Sequence, residues 1–405
     1  MGQIKANGEQ FETYIESDYR GQLLRQGADS GAVDAFGRQR ISSPLTLFDS
    51  VLRYDKMPSR WNETIVGSGV STHLSNESSI AMGVSASGDS VLRRTKKRFP
   101  YQAGKSLLIY QSFVGAPLQT GLLQEVGYFD DNNGIMVRAS GTTVQFVIRS
   151  KTSGSVVENI VSQNEWNIDG ASWLNFAKAN IFVTDLEWLG VGRVRTGFII
   201  DGEYYYCHEF KHANSIFSVY MTSAVQPLSY RIAASATVSG ATMKQICSSV
   251  MSEAGYEATG EIYTIAPPIG SIPNVSGERI VAGIRMASGR TDNVIVPAKI
   301  NLVCTTTDTI YWRLIKDGTI SGVTWAAASN GRGNVETISS GTISSGTTID
   351  AGFFTTAGSV EVDLSSGLVY ALGQEANGTS ETLVLTVNSV ENAKAAGLLG
   401  WRETL

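Results

Sequence analysis

Residues 181–210, IFVTDLEWLGVGRVRTGFIIDGEYYYCHEF, have the pattern of three successive antiparallel β-strands. Asp201-Gly202 separates two β-rich runs and predicts a two-residue type I′ turn, in which both central residues take positive φ. The turn sets the predicted register, in which the facing pairs are Ile199 with Tyr204, Phe198 with Tyr205 and Arg195 with His208.

The connection before these two strands predicts another hairpin, which is the first of the two in chain order. Gly190-Val191-Gly192 fits a three-residue loop, which would place Trp188 opposite Val194 and Glu187 opposite Arg195. One face of the meander is then apolar and the other carries an ion pair. Because a three-stranded meander with an apolar face needs a partner layer, residues 181–210 are predicted to lie in a β-sandwich.

Two runs resemble motifs of a known protein family. DLEWLGVGRVRTGFIIDG at residues 185–202 and AFGRQRISSPLTLFDS at residues 35–50 resemble segments of virion structural proteins from tailed bacteriophages and related large viruses. The resemblance covers most of the chain. It implies a jelly-roll sandwich of the concanavalin kind and a structural role in the virion, in either the head or the tail.

Composition and length favour an all-β chain of several domains. The 405 residues include 42 glycines and only 17% charged residues, and few stretches have helical periodicity. We predict four parts: an N-terminal extended arm at 1–60, a concanavalin-like jelly-roll β-sandwich at 61–254, a proline-containing linker at 255–277 and a C-terminal Ig-like β-sandwich at 278–405. Within the last part, residues 393–399 are predicted to form a short helix.

The arm has too few regularly spaced apolar residues for a core of its own, so it is expected to dock on another surface. Its predicted assembly-interface residues are Phe36, Arg38, Arg40, Leu45, Leu47 and Phe48. Exposed sheet edges and such an arm together predict contacts with other virion proteins and a homo-oligomer, with a trimer as the expected form.

Charge and cysteine content argue against several other classes. The formal net charge of −5 disfavours electrostatic binding of nucleic acid. The three cysteines are too widely spaced for a metal motif or a disulfide framework. No run is apolar and long enough to predict a membrane span or a secretory signal, and no cofactor motif is present.

One pair of carboxylates could indicate catalysis. Asp185 and Glu187 lie two residues apart on a predicted strand and share a face, as carboxylates do in many glycoside hydrolases. A laminarinase-type Glu-x-Asp-x-x-Glu pattern is absent, because Gly190 stands where the third carboxylate would be. Pairing with Arg195 would also keep Glu187 ionised, so we predict no enzymatic activity.

Two sets of residues are candidate metal ligands. The Asp130–Gly134 loop has the composition of a calcium loop and equally that of a hairpin turn, which its spacing favours. His208 and His212 are interpreted as structural residues. We therefore predict no metal site.

The dense positive run at residues 93–98 has two interpretations. It is either a solvated strand end or a docking patch for an acidic neighbouring subunit, formed by Arg93, Arg94, Lys96, Lys97 and Arg98.

The aromatic residues are similarly open to two interpretations. They either stack on sugars or fill the core and interfaces, and the set is Trp166, Trp173, Trp188, Tyr204, Tyr205 and Tyr206.

The function predicted from these patterns is that of a non-enzymatic virion structural protein on the exterior of the capsid or tail, as a decoration, fibre or baseplate component. A carbohydrate-binding host-adhesion protein, with host glycan as its partner, is the alternative. A polysaccharide hydrolase is the third hypothesis.

Overall fold

The computed structural model describes residues 43–267, 272–290, 293–355, 358–364 and 370–404, together with four short strands within residues 1–42. The chain divides into two units, Met1–Ser43 and Pro44–Leu405. In the first unit the short strands form two hairpins, which pair Ile4–Ala6 with Glu9–Phe11 and Ile15–Ser17 with Leu23–Arg25. The predicted interface residues Phe36, Arg38 and Arg40 lie outside the described residues.

Strands and their connections account for the described fold. A turn of 3₁₀-helix at Gln163–Glu165 interrupts them, and no α-helix occurs in the described ranges. No helix in this part of the chain is long and apolar enough to cross a membrane. The predicted all-β fold class is confirmed, with two β-sandwiches in succession.

The first sandwich consists of two antiparallel sheets. Sheet I has, in spatial order, the strands Glu203–Phe210, Val194–Ile200, Ala179–Leu186, Leu107–Val114, Ala241–Ser252, Ser79–Val84 and Val70–Leu74, and Leu45–Val51 pairs with the second half of Ala241–Ser252. Sheet II has Val157–Ser162, Thr143–Ser150, Gly134–Ser140, Leu122–Phe129, Leu228–Ala234, Ser90–Thr95 and Trp61–Val66.

The core of this sandwich follows from side-chain alternation. In Leu107–Val114 every second residue is buried, so Leu107, Ile109 and Phe113 face sheet II while Tyr110 points to the outer face. Aromatic pairs fill the space between the sheets, and the ring centroids of Phe146 and Phe182 lie 6.0 Å apart. The two sheets therefore share one continuous hydrophobic core.

The predicted boundary between arm and sandwich at residue 60 is wrong. Leu45–Val51 is a strand of sheet I, and its Phe48 is only 7% exposed within the sandwich core. Leu47 packs against the same core, whereas Leu45 is exposed. The strand alternation turns Phe48 inward, so it contributes to the fold and is not free to anchor a neighbouring surface, whereas Leu47 points the other way and is only half-buried.

The second sandwich is organised around one long strand, Thr382–Thr404. Residues 382–394 pair with Asn274–Met286, and residues 395–404 pair with Val294–Cys304, so the strand belongs to two sheets. The remaining strands are Ile262–Ile265, Ile310–Lys316, Thr319–Ser321, Ala326–Ala327, Val335–Ile338, Thr342–Ser344, Thr347–Phe354 and Gly358–Asp363.

Two boundaries in this half differ from prediction. The predicted linker contributes Ile262–Ile265, which pairs with residues 399–402, and the start of Asn274–Met286. The predicted helix at 393–399 lies within the long strand, where Ala393, Ala395 and Leu399 are fully buried. The alanines of this segment suit a helix locally, but small side chains also suit close packing, and a Cβ at Gly397 would lie 2.6 Å from the Val281 side chain.

The two sandwiches are in direct contact within the Pro44–Leu405 unit. The Glu381 carboxylate lies 3.9 Å from the Lys96 ammonium of the first sandwich and 2.7 Å from the Lys316 ammonium of the second. The Ala376 N–H donates to the Asn62 side chain at 3.1 Å. A small apolar cluster of Val225, Val294, Val296 and Ala371 also includes residues of both sandwiches.

Candidate functional site

The register of the first hairpin differs from prediction by two residues. Leu186 faces Val194 and Asp185 faces Arg195, so the loop comprises Glu187 to Arg193. The Glu187 N–H closes this loop by donating to the Arg193 carbonyl at 3.1 Å. A shift of two residues leaves every side chain on its predicted face and changes only its partner, because strand periodicity is two.

The structure confirms the turn that was predicted for the second hairpin. Asp201 and Gly202 have φ values of 52° and 86°, as a type I′ turn requires. The predicted pairs Ile199 with Tyr204 and Phe198 with Tyr205 are both present.

Further along this hairpin the predicted pairing of Arg195 with His208 is wrong. A β-bulge between Thr196 and Gly197 shifts the register by one residue, and Arg195 faces Glu209 instead. The extra residue, Cys207, turns its side chain into the core.

The outer face of sheet I carries a surface formed by Tyr110, Tyr204, Tyr206, Asp185 and Arg195, which we call the tyrosine surface. Strand pairing aligns Tyr110, Val183, Gly197 and Tyr206 in one row across four strands. Val183 and Gly197 are the small residues in the middle of this row, and both are buried. Position 197 has no room for a side chain, since a Cβ there would lie 2.1 Å from the Tyr205 carbonyl oxygen.

The tyrosine rings are held by one another and by polar partners. The hydroxyls of Tyr110 and Tyr204 share a hydrogen bond, and their ring centroids lie 6.4 Å apart. The centroids of Tyr204 and Tyr206 are 5.9 Å apart. Tyr204 remains 47% exposed, so the cluster presents aromatic surface to solvent.

An ion pair lies at one end of the tyrosine surface. The Arg195 guanidinium pairs with the Asp185 carboxylate and lies 4.4 Å from the Tyr206 ring centroid. The Tyr206 hydroxyl donates to the same carboxylate at 3.2 Å. Burial and the nearby Asp185 charge raise the pKa of Tyr206, so its hydroxyl stays protonated and can donate.

Glu187 takes no part in that ion pair. Its carboxylate accepts the Arg193 N–H at 3.1 Å at the end of the loop. Its neighbour Trp188 is half-buried, donating its indole N–H to the Met221 carbonyl at 3.3 Å and packing against Tyr101. The predicted Glu187–Arg195 pair is therefore corrected to Asp185–Arg195, and Trp188 is a packing residue.

The positive run at residues 93–98 is neither a solvated strand end nor an exposed patch. Arg93 is 1% exposed and donates to Glu63 and Gln245, each at 2.6 Å. Its neighbours pair with carboxylates of this chain: Arg94 with Asp131 at 2.9 Å, Arg98 with Asp130 at 2.8 Å and Lys96 with Glu381 at 3.9 Å.

Lys97 is half-buried as well, and burial lowers its pKa to about 8. The prediction of a docking patch formed by residues 93–98 is wrong. Most of these positive charges are paired with carboxylates of the same chain, and the side chains are buried or half-buried.

A second group of charges lies on the outer face of sheet II and was not predicted. The fully buried Glu125 carboxylate lies 2.7 Å from Arg138, 3.3 Å from Arg149 and 3.4 Å from Arg231. Glu158 bridges the first two arginines, and hydrogen bonds from Arg138 lower the pKa of Glu158 to about 2. The signal was present as one charged residue within each of five predicted or neighbouring strands, but their pairing depends on sheet register.

The remaining candidate ligands have structural partners. Asp130 accepts the N–H groups of Asn132 and Asn133, each at 2.7 Å, as in a hairpin turn. The His212 ring contacts the Gly192 carbonyl at 2.7 Å, and His208 packs against Phe210. Within the described ranges, no cluster of three or more His, Cys, Asp or Glu side chains is arranged to hold a metal ion.

The predicted aromatic set divides between core and surface. Trp166 stacks on Phe146 at a centroid distance of 4.1 Å, and Trp173 packs edge-on against Phe198 and Tyr205. Tyr204 and Tyr206 alternate with Tyr205 and so lie on the opposite, outer face. Tyr110 was missed because it is 94 residues from Tyr204 in sequence and only the strand order of sheet I brings them together.

Comparisons with known proteins yield structural similarities alone. No family model and no curated protein sequence matches this chain. A glycoside hydrolase family 16 protein from Mycobacterium smegmatis is similar with a TM-score of 0.36 and 10% identity, covering 51% of this chain and 100% of that one. The CBM2 module of Lactobacillus casei BL23 phage J-1 evolved Dit has a TM-score of 0.34 and 7% identity, covering 54% and 100%. The receptor-binding domain of botulinum neurotoxin D has a TM-score of 0.34 and 9% identity, covering 62% and 61%.

Proposed function

We propose that this protein is a non-enzymatic structural component of a virion, positioned on the exterior of the capsid or tail and incorporated through residues 1–43. The observation that carries the proposal is the division of the chain at Ser43. The sandwich unit begins with Leu45–Val51 as a strand of sheet I, and each described core residue lies at or after Phe48. In this proposal, residues 1–43 make the contact with another virion protein.

The contacts between the two sandwiches support a structural role for the Pro44–Leu405 unit. Ion pairs of Glu381, the Asn62 hydrogen bond and the Val225 cluster join them at several points. A two-sandwich body with a separate N-terminal segment matches the role implied by the sequence resemblance.

The electrostatics of the carboxylates disfavour glycoside hydrolysis. That reaction needs a carboxylic acid whose pKa is raised so that it can donate a proton. In the described residues, the carboxyl groups with a shifted pKa all have it lowered, and these are Glu63, Asp89, Asp131, Glu158 and Glu209. Asp185 is already engaged by Arg195 and Tyr206.

Incorporation into particles tests the proposal. A chain lacking residues 1–43 is expected to fold and to be absent from purified particles in a complementation experiment, whereas the full-length chain is present. A matched variant with residues 1–43 intact and Phe353→Ala, an exposed residue of the second sandwich, should be incorporated normally. Incorporation of the truncated chain at the full-length level would contradict the proposal that residues 1–43 mediate assembly.

The proposed lack of hydrolase activity is tested by a separate experiment. Release of reducing ends from host capsule, lipopolysaccharide and peptidoglycan should remain at background. Hydrolysis that is lost in Asp185→Asn or Glu187→Gln would identify the chain as an enzyme instead.

A further inference from the structure

A structural role in a virion does not explain the tyrosine surface. Three tyrosines converge on the outer face of sheet I although they come from two strands distant in sequence. An exposed aromatic cluster on a strand face has an unfavourable interaction with water unless something covers it. The ion pair beside it adds directed hydrogen-bonding groups to the same face.

We propose that the tyrosine surface binds a neutral saccharide chain, with the sugar rings stacked on Tyr204 and Tyr110 and hydroxyl groups bonded to Asp185 and Arg195. This inference goes beyond the proposed structural role. The faces of aromatic rings are electron-rich and attract the C–H groups on one side of a pyranose ring. A carboxylate and a guanidinium side by side offer an acceptor and a donor to neighbouring sugar hydroxyls.

The charge around the surface favours a neutral ligand over a polyanion. Among the described residues, Asp185, Arg195, Glu209 and Glu253 interact with one another at this surface, and Arg193 and Lys211 in turn pair with Glu209, which makes three acids and three bases. Their formal charges cancel. The net charge of −5 for the whole chain gives an anionic polymer no long-range attraction.

The shape of the site favours a chain over a single sugar. The residues lie on the outer face of sheet I, where Tyr204 is exposed while Val183 and Gly197, between Tyr110 and Tyr206 in the row, are buried. An open face contacts one side of a ligand, so several linked sugars are needed to bury an adequate area.

The rings and polar groups are already ordered before a ligand arrives. Tyr110 and Tyr204 hold each other through their hydroxyls, while Asp185 is fixed by Arg195 and Tyr206. Groups that are fixed in advance lose little side-chain entropy when a ligand binds, which lowers the free-energy cost of binding.

Affinity gel electrophoresis with immobilised neutral polysaccharides tests the proposal. Mannan, galactomannan, dextran and mixed-linkage β-glucan serve as probes, and alginate serves as the anionic comparison. We expect at least one neutral polymer to retard the full-length protein and alginate to retard it less. Tyr204→Ala and Tyr110→Ala should each weaken binding about tenfold, as for a central aromatic contact.

Two further variants separate binding from folding. Tyr204→Phe keeps the ring and loses only the hydroxyl, so it should retain most of the affinity that Tyr204→Ala loses. Phe353→Ala removes an aromatic ring that is 71% exposed on the second sandwich and should bind as the unmodified protein does. Melting curves of each variant confirm that it is folded.

Three results would overturn the proposal. These are the absence of retardation by every neutral polymer, stronger retardation by alginate, and binding that persists unchanged in both alanine variants. Incorporation into particles depends on residues 1–43 and is measured separately, so either proposal can fail without the other.

Discussion

Asp185 and Arg195 form an ion pair across the neighbouring strands Ala179–Leu186 and Val194–Ile200. The Asp185 side chain is 11% exposed, and it also accepts a hydrogen bond from Tyr206. The predicted partner, Glu187, lies in the adjoining loop instead. The two carboxylates should therefore contribute differently to the free energy of unfolding.

A comparison of two conservative substitutions tests this difference. Asp185→Asn should lower the free energy of unfolding by about 1–3 kcal/mol, the usual range for hydrogen bonds to charged groups. Glu187→Gln should change it by less than about 0.5 kcal/mol, as is common for exposed positions. Chemical denaturation measures both, and equal effects would show that Arg195 is shared between the two carboxylates.

Truncation locates the start of the sandwich. Removing residues 1–43 should leave a cooperative melt, since the sandwich unit begins at Pro44. Removing residues 1–52 deletes a strand of sheet I with Phe48 and the fully buried Leu52, and the product should be insoluble or unfolded. Within the intact chain, Phe48→Ala should cost about 3–5 kcal/mol. Circular dichroism melts would contradict this boundary if both truncated chains behaved alike.

The buried Glu125 is expected to be among the most sensitive charged positions. Glu125→Ala leaves Arg138 and Arg149 without a compensating charge in a buried site and should cost about 3–5 kcal/mol. The exposed pair of Glu77 and Lys244 is the control, since Glu77→Ala should cost no more than about 1 kcal/mol. Urea titrations distinguish the two, and similar midpoints would mean that water solvates the buried network.

Acid should destabilise the first sandwich partly through Glu158. The pKa of Glu158 is lowered to about 2 in the folded state, below its ordinary value of 4.5, so the unfolded chain binds more protons between these values. The stabilisation from Glu158 is present above pH 4.5 and is lost as pH falls toward 2. Glu158→Gln should therefore be less stable than the unmodified protein at pH 7, with a smaller difference at pH 2.5. A difference that is independent of pH would rule out this carboxylate as a source of the acid sensitivity.

The type I′ turn at Asp201-Gly202 sets the register that brings Tyr204 and Tyr206 to the outer face. Gly202→Val places a β-branched residue at a φ of 86° and should cost about 1–3 kcal/mol. Gly141→Val, at a hairpin turn in sheet II with a φ of 61°, is a matched comparison and should have a similar cost. An unchanged melting temperature in Gly202→Val would mean that the turn tolerates another backbone conformation.

Local sequence was sufficient for the Asp201-Gly202 turn and for the faces of the side chains next to it, but not for the β-bulge that moves His208 from its predicted place opposite Arg195. The Asp201-Gly202 turn and the alternation of Tyr204, Tyr205 and Tyr206 were predicted correctly because both depend on the backbone of a few adjacent residues. The error of two residues in the first hairpin left those faces unchanged. Residues 393–399 show the limit of local preference, since small residues are compatible with a helix and with a closely packed strand.

Only the tertiary structure decided which distant residues meet. The sequence alone determined that the chain is all-β, that its meander has an apolar and a polar face, and that residues 93–98 are densely positive. The burial of Arg93 beside Glu63 and Gln245, and the contact of Tyr110 with Tyr204, depend on which strands are neighbours in the sheets. Strand order is set by the sum of many long-range contacts across both sheets, and no local segment contains that information.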